Sequence, residues 1–198
     1  MIIEPHIVSK LMRYTVLIGF ISLLFSFEVI AAPYQRDLSL QGVTFYVSSA
    51  NQGSINKLTM LIDGLKSKTT PIEKEIDGTV TGAEIADLNS DGSPEIYIYI
   101  TSAGSSSYGS LVAYAVNKKK SATEIFLPDI TENKKLNTGY MGHDEFSVVE
   151  GTLVRRFPIY KDGDTNAKAT GGLRQVNYKL RPGEAGWVLR VKNSMDFK

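Results

Sequence analysis

Between Glu95 and Thr101 the chain reads E-I-Y-I-Y-I-T. Ile96, Ile98 and Ile100 would share one side of an extended strand, and Tyr97 and Tyr99 the other. A helix would scatter the same residues around its axis, so this segment is usable only as a strand. The two-residue period recurs along the chain. Val43, Phe45 and Val47 alternate with Thr44 and Tyr46, and Leu58, Met60 and Ile62 alternate with Thr59 and Leu61 before an Asp63-Gly64 turn. Further strands are predicted over 79–86, 111–116, 123–127, 146–149, 152–160, 173–180 and 187–191. The polar stretch 66–75, with Pro71 inside it, reads as a loop or an edge. About ten strands with Gly, Pro and Asp turns between them, and no amphipathic helix longer than two turns, predict an all-β antiparallel sandwich of about eight to ten strands. With no internal repeat or low-complexity linker, residues 32–198 are expected to form one domain.

The N-terminus is read separately. Lys10 and Arg13 precede an apolar run from Thr15 to Phe27, and Val29, Ile30, Ala31 and Ala32 follow Glu28. Basic flank, apolar centre and small-residue exit are the parts of a secretory signal peptide, here expected to be cleaved after Ala31. The apolar run falls short of the ~20 residues a spanning helix needs. The 198-residue chain has no cysteine, which excludes disulfides, zinc-thiolate sites and cysteine nucleophiles. The core alone must therefore hold the domain, which is feasible at roughly 160 residues. A net charge of +1 gives no electrostatic reason to expect nucleic acid or a membrane surface as partner.

Two stretches flanking the Ile-Tyr strand carry chemistry. The turn before it is D-L-N-S-D-G-S-P-E, with Asp87, Asn89, Asp91 and Glu95 at relative positions 1, 3, 5 and 9 and Gly92 at position 6. Oxygen ligands on alternate residues of a tight loop can converge on Ca2+. An EF-hand is rejected, because the position that needs a bidentate Glu is Ile98. The form resembles the calcium loops of β-propeller and adhesion-type repeats. The competing reading is a hairpin turn whose Asp and Asn side chains cap backbone N–H groups. Asp162, Asp164 and Asn166 repeat the alternate spacing in a later polar loop.

After the strand comes a loop of small residues, Ser102, Ala103, Gly104, Ser105, Ser106, Ser107, Tyr108, Gly109 and Ser110. Its serines offer hydroxyl donors and acceptors, and Tyr108 a rigid apolar body with a polar tip, as binding surfaces favour. Composition alone also allows a flexible surface turn. A nucleophilic serine would need a base, and the one histidine after the signal segment is His143, in G-Y-M-G-H-D-E-F.

Several separated blocks resemble one family. S-A-G-S-S-S-Y-G-S-L-V-A-Y, G-Y-M-G-H-D-E-F-S-V-V-E-G-T-L-V-R-R-F-P-I-Y and T-G-G-L-R-Q-V-N-Y-K-L look like the periplasmic inhibitors of I-type (invertebrate) lysozyme, over about Asp87 to Trp187. The resemblance implies a bacterial periplasmic β-sandwich, a homodimer without catalysis or a cofactor. It implies that a protruding loop enters the active-site cleft of a host lysozyme. Related inhibitors carry a Ser-Gly-x-Tyr signature there, which by position corresponds to Ser105 and Tyr108. The sequence departs from that pattern at Ser106, where glycine is expected; Ser106 and Ser107 are alternative hydroxyl donors, and Gly104 opens the loop. The loop 161–172, with Asp162, Asp164 and nearby Arg174, is expected to make a second contact. The alternative is a calcium-binding secreted β-module serving adhesion or structural interaction.

Overall fold

The computed structural model describes residues 32–198; the predicted signal segment, 1–31, lies outside the described residues. The described residues are all-β, with twelve strands in two sheets. They are β1 (Tyr34–Leu40), β2 (Val43–Ser49), β3 (Ile55–Asp63), β4 (Ile72–Asp77), β5 (Thr79–Ala86) and β6 (Glu95–Thr101), then β7 (Gly109–Asn117), β8 (Ser121–Phe126), β9 (Glu145–Val149), β10 (Thr152–Pro158), β11 (Leu173–Pro182) and β12 (Trp187–Phe197). Among the described residues one 3-10 turn spans Ile130–Glu132. Among the described residues, no helix is long and apolar enough to cross a membrane.

The small sheet has the order β1-β2-β3-β4 and the large one β5-β6-β7-β8-β12-β11-β10-β9. Every strand predicted from the period-two pattern is present. The count exceeds eight to ten because β1 and β4 are edge strands of the small sheet, where polar residues mask the period. The sheets are not purely antiparallel: β12 meets β8 in parallel, Trp187 opposite Ile125 and Val188 opposite Phe126.

The Ile-Tyr alternation of β6 organises both cores. Ile96, Ile98 and Ile100 pack with Val43, Phe45, Val47, Leu58, Met60 and Ile62 of the small sheet. Tyr97 and Tyr99 point the other way, into a second core with Leu153, Phe157, Val176, Tyr178, Leu180 and Leu189. β6 is thus the shared wall of two cores, buried on both faces except at Thr101. The large sheet curls until its first and last strands approach. Glu84 of β5 accepts the Val148 N–H of β9 at 2.8 Å and the Tyr99 hydroxyl, while Tyr99 stacks on Phe146 with ring centroids 5.8 Å apart. A carboxylate bridges this seam where a further backbone ladder would complete a barrel.

Asn51 joins the small sheet to β5. Its side-chain amide donates to the Val80 carbonyl and accepts the Val80 N–H, both at 2.9 Å, so it substitutes for a strand residue.

Because Ile98 is fully buried in the shared wall, Ile98→Ala is expected to lower the unfolding free energy by about 2–5 kcal/mol in urea titrations. Phe126→Ala, at a 63% exposed position, should shift it by no more than ~0.5 kcal/mol.

Candidate functional site

Three connections meet at one end of the large sheet: the β6–β7 loop 102–108, the segment 139–144 before β9, and the loop 161–172 between β10 and β11. The serine loop is a tight one. The Ser102 N–H donates to the Tyr108 carbonyl at 2.9 Å and the Ser107 N–H to the Gly104 carbonyl at 3.2 Å. Left-handed backbone falls at Gly104 (φ 116) and Ser107 (φ 43). Ser106 is not among the left-handed residues, so glycine is not required where the family pattern has it.

The neighbouring connections brace this loop from outside. The His143 N–H donates to the Ser106 carbonyl at 2.8 Å, and Asn166 Nδ2 donates to the Ser105 carbonyl at 2.6 Å. His143 Nε2 lies 3.1 Å from Asn166 Oδ1, which joins the two bracing segments. Gly142 makes the approach possible: at φ 91, a Cβ there would overlap the Ser106 carbonyl and crowd the Tyr108 ring.

Beneath the loop lies a buried ion pair. Arg155 Nε donates to Asp144 Oδ1 at 2.6 Å, with the two side chains 5% and 0% exposed. The other carboxylate oxygen accepts the Tyr140 hydroxyl at 2.7 Å and the Gly109 N–H at 2.8 Å. Arg155 Nη2 donates to the Tyr140 oxygen at 2.8 Å, and its guanidinium faces the rings of Tyr140, Phe146 and Phe157. Burial works against the Arg155 charge, but the Asp144 carboxylate overrides it and holds the pKa above the ordinary value. Burial and the hydrogen bond to Asp144 both push the Tyr140 phenol up.

On this base stands a column of rings. Tyr108 packs edge-on against Tyr140, and Tyr140 against Phe157, at centroid distances of 5.8 and 4.8 Å. Tyr108 nevertheless keeps 47% of its surface exposed, and Ser105 is exposed beside it. Among the described residues, neither the Ser105 nor the Tyr108 hydroxyl has a hydrogen-bond partner. Next to Tyr108 opens a groove of about 740 Å³ lined by Leu111, Ile125, Phe126, Pro128 and Tyr140, with Arg155 also on its wall. In comparisons with known proteins, no family model matches the chain and no curated protein matches it.

The structure places the other predicted residues as follows. Ser106 and Ser107 are half-buried in the loop. Asp164 accepts the N–H groups of Lys161 and Thr170 at 2.7 and 2.8 Å, which holds its carboxyl below the usual range; it rigidifies its own loop. Asp162 is exposed on the same loop. Arg174 is engaged within the chain, by Asp196 through two bonds of 2.7 and 2.8 Å and by the carbonyls of Lys135, Leu136 and Thr138. From the later alternate-spaced set it is Asn166 that reaches the serine loop.

At the opposite end of β6, the turn places a carboxylate oxygen from each of Asp87, Asp91 and Glu95 within 4.8 Å of the others. Asp87 Oδ1 and Asn89 Oδ1 both accept the Asp91 N–H at 3.0 Å, and Asp87 Oδ2 accepts the Gly92 N–H at 2.9 Å. Glu95 is 1% exposed. Its Oε2 accepts the Leu88 N–H at 2.7 Å. Burial pushes the Glu95 carboxyl up to about 8, with Asp87 and Asp91 adding to the rise.

Sequence reasoning passed over Asp144, Arg155 and Tyr140 as site residues. One signal was available: Leu153, Arg155 and Phe157 share the inward phase of β10, and a cation in that phase requires a buried partner. Removing one member of such a pair costs about 3–5 kcal/mol. Asp144→Ala is therefore expected to destabilise the protein by that amount in chemical denaturation, and to raise hydrogen exchange at Gly109.

Proposed function

We propose that the protein is a secreted, periplasmic inhibitor of I-type lysozyme that works by binding alone, and that its working surface is the braced loop 104–108. The observation carrying this reading is the exposure of two unpartnered hydroxyls, on Ser105 and Tyr108, in a loop held by Asn166, His143 and the Asp144–Arg155 pair. A surface tyrosine stacked down to the core loses little freedom on binding, which favours affinity. The resemblance of the separated sequence blocks supplies the partner, and its implied homodimer belongs to the same reading.

The target's chemistry suits such a loop. A retaining glycosidase presents two carboxyl groups about 5–5.5 Å apart, one acting as acid and the other as carboxylate. A serine and a tyrosine hydroxyl can each donate to a carboxylate or accept from a protonated acid. Hydrogen bonds to charged groups contribute roughly 1.5–3 kcal/mol each. Two such bonds leave most of the affinity to the surroundings, because a stable interface buries on the order of 1,600 Å². The groove beside Tyr108 and the exposed part of loop 161–172, including Asp162, are the adjoining surfaces. Arg174, engaged by Asp196 and the carbonyls of Lys135, Leu136 and Thr138, contributes indirectly, by fixing the 135–138 segment.

Tyr108→Ala and Ser105→Ala should each weaken inhibition of an I-type lysozyme in a lytic assay by about 10- to 100-fold. Ser105→Ala should leave stability within ~0.5 kcal/mol of the parent, and Tyr108→Ala should cost about 0.5–1.5 kcal/mol through its lost packing on Tyr140. Parallel assays against C-type and goose-type enzymes define the range of targets. Full inhibition by both variants would remove the loop from the interface.

A further inference from the structure

The turn at the far end of β6 carries a feature that hairpin capping leaves unexplained. Capping accounts for the oxygens of Asp87, Asn89 and one oxygen of Asp91, all of which accept turn N–H groups. It accounts for only one oxygen of Glu95, which rises from the strand beneath the turn: Oε2 accepts the Leu88 N–H at 2.7 Å. Glu95 is 1% exposed, and among the described residues its Oε1 has no hydrogen-bond partner. A buried carboxylate oxygen without a donor is strongly unfavourable unless a cation or a donor reaches it. Among the described residues, the salt bridges pair Lys57 with Glu73, Lys74 with Glu124, Arg155 with Asp144 and Arg174 with Asp196; none touches this cluster. Its side-chain neighbour from the small sheet is neutral: Gln41 Nε2 donates to Asp87 Oδ2 at 2.8 Å.

We propose that Asp87, Asp91 and Glu95, assisted by Asn89, form a calcium site in which the ion satisfies the buried Glu95 oxygen. The three carboxylates already stand within 4.8 Å of one another, a spacing that a central ion with oxygen ligands at 2.3–2.6 Å would span. The ligand set is all oxygen, as a hard cation requires. Calcium is favoured over magnesium because the turn is shaped by its own N–H caps. An irregular shell completed by water suits an ion taking six to eight ligands, whereas magnesium demands near-ideal octahedral geometry. Gly92, at φ 79, supplies the bend that brings Asp91 back over the strand. The ion would join the turn to β6 and, through Asp87 and Gln41, to the β1–β2 corner of the small sheet. The site lies apart from the serine loop, and the assignment is independent of lysozyme binding.

Calcium-stripped protein of residues 32–198 is titrated with CaCl2 and, separately, MgCl2, with calorimetric stoichiometry and thermal melting as readouts. Calcium is expected to bind at one ion per chain. It should raise the melting temperature by roughly 5–10 °C at about a hundred times its Kd, with magnesium giving a smaller shift. Tb3+ should show luminescence sensitised through Tyr97, whose hydroxyl lies 3.5 Å from Glu95 Oε2. Asp91→Asn, an exposed change that leaves the core intact, should lose the calcium shift and the Tb3+ signal. Glu95→Gln should lose both as well, and if it fails to fold Asp91→Asn decides alone. No calcium heat and no melting shift up to millimolar calcium would overturn the site, as would an equal shift in Asp91→Asn.

Discussion

The end of the molecule that carries the serine loop depends on one buried ion pair. Asp144 and Arg155 are withdrawn from water, and each has its remaining hydrogen-bonding capacity directed at a part of the surface that must be placed. Asp144 takes the Gly109 N–H, which sets where β7 begins and so where the serine loop ends. Arg155 and Asp144 together hold the Tyr140 hydroxyl, and Tyr140 supports Tyr108. Replaced by hydrophobic residues of similar volume, a buried pair of this kind can be neutral or even stabilising. Its value here lies in position: a polar network fixes direction in a way that apolar packing cannot.

β6 connects the two ends of the chemistry. Its isoleucines and tyrosines enter different cores, so neither face is free to adjust. A strand held from both sides is a stiff mount. One end projects the serine loop, and the other receives the carboxylate turn over the buried Glu95. The fold therefore couples two surface features through a rigid element while leaving their chemistry separate.

The strands were legible because alternation along a half-buried strand survives without any knowledge of partners, as in Val43–Val47 and Leu58–Ile62. β1 and β4 were less so, because an edge strand carries polar residues whose phase says little about burial. The parallel contact of β12 with β8 could not be read at all, since pairing order depends on how the sheet curls. Ser105 and Tyr108 stood out by composition and by resemblance. Their support did not: Asn166 lies 61 residues from Ser105, and Asp144 lies 35 residues from Gly109. Such pairings have no local period. Arg155 alone left a trace, as a cation in the inward phase of β10.

The sequence by itself determined the extended conformation, the two faces of the Ile-Tyr strand, the absence of disulfides and the clustering of side-chain oxygens before that strand. These follow from side-chain period, residue chemistry and short spacing, which are local properties. Tertiary structure alone decided that both faces of β6 are buried, that three distant connections converge on the serine loop, and that Glu95 lies sealed beneath its turn. Burial is a property of the assembled sheets. Whether a carboxylate is an ordinary surface group or a buried one with an unpartnered oxygen depends on what the rest of the chain places over it.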